Sequence, residues 1–154
     1  MNVKQKLSAP AGAKQMLIGA LLRVPAQAIH RRLIQGLNRA GFHELRLPHM
    51  AVFQFPGPDG VRPGVLADRA GISKQAMNQL LRSLERLGYV VRSGTPNGGR
   101  ARIIRLAKRG HAAYAKIHEI LRDIEREWSA ELGSRDFIRL KELLFRVWES
   151  PLTR

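Results

Sequence analysis

Lys74, Gln75, Asn78, Gln79 and Arg82 recur at the three-to-four-residue interval that places side chains on one face of a helix. Asn and Gln can bond adenine through two atoms at once, Arg and Lys can bond guanine, and all of them can hold phosphate. Ser73, directly before them, is a residue type that caps a helix N-terminus. A polar helix face is usually only solvated, so its meaning depends on its flanks. Upstream, Leu66–Ser73 offers a small residue in a first helix, Gly71 for a tight turn, Ile72 as an apolar plug and Ser73 as the cap, which is the grammar of a helix-turn-helix. Downstream, Tyr89–Leu106 reads as a β-hairpin with a Gly-rich tip, carrying Arg92, Arg100, Arg102 and Arg105. No acidic residue lies between Glu85 and Glu119. The expected chemistry is DNA reading. Ser73, Lys74, Gln75, Asn78, Gln79 and Arg82 enter the major groove, and Arg100 lies in the minor groove with Asn97 beside it and Arg102 nearer phosphate.

Other chemistries find little support. The chain has no cysteine, which excludes disulfides, thiolate metal sites and thiol redox sensing. The histidines, His30, His43, His49, His111 and His118, form no HxH or HxxxH pair, so no metal site is expected. Gly94–Gly99 lacks the GK[ST] ending of a phosphate loop and precedes a strand, and no nucleophile–base or paired-carboxylate motif occurs. No catalytic residue and no cofactor is expected, and the chain reads as a non-enzyme.

The elements that must position the reading face follow from periodicity and punctuation. Ala13–Ala40 has helical spacing, with Pro25 expected to kink or split it and Gly41 to stop it. His43–Phe55 reads as a second short helix and Pro56–Gly60 as a loop. A helix from near Pro63 to Gly71, another from Ser73 to Leu87 and the hairpin follow. In the last third, Tyr114, Ile117, Leu121, Ile124 and Trp128 form one seam, and Phe137, Leu140, Leu144 and Val147 a second, with Gly133 and Ser134 between the two helices. Such seams suit a dimer interface of Leu17, Leu21, Ile117, Leu121, Ile124, Trp128, Leu140, Leu144 and Val147, or packing within one chain. Met50, Phe53, Phe55 and Trp128 would line an effector pocket beneath the DNA-binding lobe, or serve as plain core.

Charge divides the chain in the same way. Of a formal net charge of +15, residues 62–110 carry eleven Lys/Arg against Asp68 and Glu85, whereas residues 111–154 carry eight basic and eight acidic residues. The middle is built for a polyanion and the end is not. The fold expected is mainly α with a small β-hairpin wing. It comprises an N-terminal helical dimerisation segment (1–40), a winged helix-turn-helix domain (41–110) and a C-terminal helical dimerisation segment (111–154). Lys14, Gln15 and Arg23 interrupt the first apolar stretch, so neither a secretory leader nor a membrane span is expected, and the chain reads as cytoplasmic and nucleoid-associated.

The stretch Leu66–Arg92 resembles the helix-turn-helix and first wing strand of the MarR family of bacterial regulators, and Arg100–Gly110 resembles the second wing strand and the start of the next helix. The resemblance is strong over residues 62–110. It implies a homodimer held by the first and the last two helices. It also implies a pseudo-palindromic DNA operator, a repressor, and release of DNA by a small aromatic effector. Gly98 and Gly99 stand where the family carries Asp and Arg, implying a mobile wing, and Asn78 stands where a small Ser is common, implying an unusual operator. The competing expectation is a low-specificity architectural DNA-binding protein.

Overall fold

The structure is a computed structural model in which residues 16–54, 57–94 and 103–153 are described. Five helices and one hairpin follow in the order α1 (Ile18–Arg39), α2 (Pro63–Ala70), α3 (Lys74–Arg86), β1 (Val90–Ser93), β2 (Ile103–Leu106), α4 (Lys108–Leu132) and α5 (Ser134–Trp148). Short 3₁₀ turns occupy Leu47–Ala51 and Pro151–Thr153. Among the described residues no helix is long and apolar enough to cross a membrane.

Two expectations about local structure change. α1 runs unbroken through Pro25. The proline removes one N–H, but it and Leu21, whose carbonyl loses that donor, are both exposed, so water can take its place. The helix expected at His43–Phe55 shrinks to the Leu47–Ala51 turn, because Pro48 fits only its first positions.

Helix ends are set by local chemistry. Gly71 and Gly88 adopt the left-handed conformation, φ 63° and 77°, which costs glycine little. The chain then turns back, so that Ile72 N–H bonds Ala67 O and Tyr89 N–H bonds Leu84 O. Both helices thereby end with an apolar residue folded onto the core.

One buried cluster gathers Leu33 and Leu37 of α1, Leu45, Val52, Phe53, Leu66, Ala67, Met77, Leu81, Leu84, Tyr89, Val90, Ile104, Leu106, and Ala113 and Ile117 of α4. It runs across the segment limits expected at residues 40 and 110. The antiparallel hairpin pairs Val90 with Leu106 and Arg92 with Ile104. Val61 adds a bridge to Ile104, and Asp59 Oδ1 accepts the Leu106 N–H at 2.8 Å. α4 is seated tightly on this sheet. Gly110 lies under the Tyr89 carbonyl, where any Cβ would fall inside the contact radius of the oxygen.

Candidate nucleic-acid interface

α3 buries Met77, Leu81 and Leu84 completely, fixing its rotation on the core. Ser73 caps it, its Oγ accepting the Ala76 N–H at 3.1 Å. The opposite face then presents Lys74, Gln75, Gln79 and Arg82 to solvent. A second line of contacts locks the hairpin to the same helix. Arg92 of β1 donates from Nε to Glu85 Oε2 at 2.9 Å and from Nη1 to Asn78 Oδ1 at 3.0 Å. Asn78 in turn donates from Nδ2 to Lys74 O at 2.9 Å. Asn78 is half-buried and engaged at both ends of its carboxamide, unlike its exposed neighbours. Its type and its spacing along α3 are those of a groove-facing side chain. The structure turns it towards β1, because Arg92 supplies a donor there that a helix-face argument does not include.

Two further contacts brace the lobe. Arg109 grips both carboxylate oxygens of Glu44 at 2.8 and 2.9 Å, donates to Leu87 O at 3.1 Å, and lies 4.6 Å over the Tyr89 ring. The Arg109 hydrogen bond is the main reason the Glu44 carboxyl titrates below its ordinary 4.5. His49 is buried behind α3. Its Nδ1 accepts the Arg46 N–H at 3.1 Å, which leaves the ring proton on Nε2, 3.2 Å from Ser83 Oγ. Burial, and then the nearby Arg46 charge, hold this imidazole below its ordinary 6.5. Neither His49 nor Arg109 stood out in the sequence, since each acts through a partner distant along the chain.

The remaining expected site residues fall as follows. Asn97, Arg100 and Arg102 of the wing, with its Gly98–Gly99 departure, and Phe55 lie outside the described residues. Phe53 is core rather than pocket lining, 3% exposed and edge-on to Tyr89 at 6.5 Å. Met50 packs against the same core, and Trp128 is half-buried on α4. The open cleft in this region, about 650 Å³, is lined instead by Gln27, His30, Arg31, Ile34, Gln35 and Leu47. Its α1 members share one helix face, a spacing visible in the sequence but hidden there among other polar positions.

Of the dimer residues, Leu17, Leu21, Leu140, Leu144 and Val147 are exposed. Leu121 is half-buried. Ile117 and Ile124 are instead buried within the chain, at 4% and 2% exposure. Much of the α4 seam is thus used internally, against α1 and α5, where Arg32–Glu127 and Lys141–Glu125 ion pairs also bridge the helices. α5 exposes Ile138, Leu143, Phe145 and Trp148 as well. Among the described residues no group of three or more His, Asp or Glu is placed to hold a metal ion.

The MarR family model matches residues 54–101. The chain is also 32% identical over 139 residues to the HTH-type transcriptional repressor Rv2887 of Mycobacterium tuberculosis, spanning 88% of this chain and 94% of that one. The chain belongs to the MarR family. A solved structure of the M. tuberculosis MarR family protein Rv2887 in complex with salicylic acid superposes with a TM-score of 0.63 at 26% identity, covering 86% of this chain and 96% of that one. Wild-type MarR from E. coli shares the fold, with a TM-score of 0.65 at 21% identity over 86% and 97% of the two chains. Within this fold α2 and α3 form the helix-turn-helix and β1–β2 the wing.

Proposed function

We propose that this MarR-family chain is a transcriptional repressor that binds a pseudo-palindromic DNA operator as a homodimer in the cytoplasm. The observation that carries this reading is the outer face of α3. Lys74, Gln75, Gln79 and Arg82 stand exposed on a helix fixed by three fully buried residues, and the carboxylate of Glu85 beside them is already neutralised by Arg92. A face of this kind offers hydrogen-bonding and cationic groups to a groove without presenting a repelling charge. The wing residues Asn97, Arg100 and Arg102 would add minor-groove and phosphate contacts. Dimerisation is supported by the apolar surface at the start of α1 and along α5, which a lone chain leaves wet.

The effector we propose is a small aromatic acid, as in the salicylic acid complex of the relative Rv2887. The cleft beside α1 suits one, since Arg31 and His30 can face a carboxylate while Ile34 and Leu47 offer apolar contact to a ring. The net charge of +15 favours a second reading, a low-specificity architectural binder.

Titrating the protein against the DNA upstream of its own gene and against a shuffled fragment, at about 0.15 M salt, separates the two. A regulator prefers its site by at least ~10³-fold. Equal affinities that collapse together with salt favour the architectural reading, and no binding to either DNA overturns both.

A further inference from the structure

We propose that Arg92 determines which bases α3 reads, by holding the Asn78 carboxamide against the protein and leaving base discrimination to Gln75 and Gln79. This rests on α3 being the DNA-reading helix. Bidentate recognition of adenine needs a carboxamide to offer its oxygen and its nitrogen along one free edge. In this structure the Asn78 oxygen takes the Arg92 Nη1 donor at 3.0 Å and the nitrogen donates to Lys74 O at 2.9 Å. Both polar atoms are tied to different parts of the chain, one in β1 and one in the preceding turn of α3, so the amide cannot swing outward without giving up both bonds.

Arg92 is itself kept from DNA. Its side chain is only 17% exposed, and its Nε is paired with Glu85, which sits seven residues beyond Asn78 on the same helix. A guanidinium is the group that can do this. Its planar fork donates to Glu85 from Nε and to Asn78 from Nη1, two nitrogens in fixed relation, where an ammonium has all its donors on one rotating nitrogen. Gln75 and Gln79 have no comparable partner in strand β1 and remain exposed beside Lys74 and Arg82.

The test uses Arg92→Lys, which keeps the charge opposite Glu85 but replaces the two-nitrogen fork with a single nitrogen. Binding sites are selected from a random-sequence duplex pool by the wild-type protein, by Arg92→Lys, by Asn78→Ala and by Arg92→Lys/Asn78→Ala. Asn78→Ala is expected to weaken binding while selecting the wild-type sequence. Arg92→Lys is expected to gain a preference of about ten-fold for adenine at one position of each half-site, the scale of one bidentate contact, and the double variant to lose it. An unchanged selected sequence for Arg92→Lys, or a broadened one for Asn78→Ala, overturns the inference. A wild-type protein that selects no sequence overturns the DNA-reading proposal as well. In the free protein, NMR should show slow side-chain amide exchange at Asn78 that becomes fast in Arg92→Lys. Fast exchange in the wild type would sink the inference without any DNA present.

Discussion

α3 and α5 are amphipathic helices of similar length, 13 and 15 residues, and they are finished to very different degrees. α3 buries three apolar side chains completely, and its exposed side chains are all polar. α5 buries Phe137 alone and leaves Ile138, Leu140, Leu143, Leu144, Phe145, Val147 and Trp148 more than a third exposed. Within one chain α3 has its final surroundings, so its free face is available for recognition. α5 does not, and its apolar surface is where the proposed second copy would seat. The charge pattern agrees, since the acidic and basic residues of the last third balance while those around α3 are overwhelmingly basic.

Breaking the inner face of α3 gives the largest effect. Leu81→Ala should lower unfolding stability by about 2–5 kcal/mol, the range for a fully buried leucine. The matching Leu144→Ala on exposed α5 should shift the stability of an isolated chain by less than about 0.5 kcal/mol. Urea titrations of both variants, at a concentration low enough to keep chains apart, would erase the contrast if their costs proved equal. Next comes Trp148→Ala. If α5 seats the second copy, loss of a large aromatic anchor should weaken the dimer by about 2 kcal/mol, roughly 30-fold in its dissociation constant. Sedimentation equilibrium reads this directly, and an unchanged constant would place the interface elsewhere.

A smaller effect is expected at the start of α3. Ser73→Ala removes the cap bond to Ala76 N–H and should cost about 1 kcal/mol in thermal or urea unfolding. Smallest is the pH term from His49. Its folded pKa lies below 6.5, so the unfolded chain takes up the proton first. The stability it supplies is complete above pH 6.5 and is lost as pH falls below that value. His49→Leu should therefore flatten the stability–pH curve in that range, whatever it does to the absolute stability. A variant with the same slope as wild type would show that another group titrates there.

Much of the α3 region was legible in the sequence because its signals are local. Ser73 caps a residue three positions away, Gly71 and Gly88 act on their own φ, and Met77, Leu81 and Leu84 repeat along one helix. What was not legible depends on contacts between distant segments. Asn78 has the right type and spacing for a base reader, but its partner Arg92 arrives from a strand fourteen residues on. Periodicity showed that Ile117 and Ile124 face something buried, though not that they are buried within the chain itself. Phe53 has the character of either pocket or core, and its burial against the edge of Tyr89 decides between them. The open cleft beside α1 went unseen because Gln27, His30, Arg31 and Gln35 look like an ordinary solvated face until Leu47 is brought alongside.

The seat of Gly110 under the Tyr89 carbonyl gives α4 the properties of a lever arm. The helix spans 25 residues from the base of the wing to its junction with α5, and its near end has no slack, since that glycine already touches backbone. A rod of about 37 Å turns a tilt of about 5° at the α5 end into a displacement of about 3 Å at the wing. If two α5 helices meet in the proposed dimer, the spacing between the two wings is geared to the angle of that contact, and a substitution there should detune DNA binding without touching a groove-facing residue.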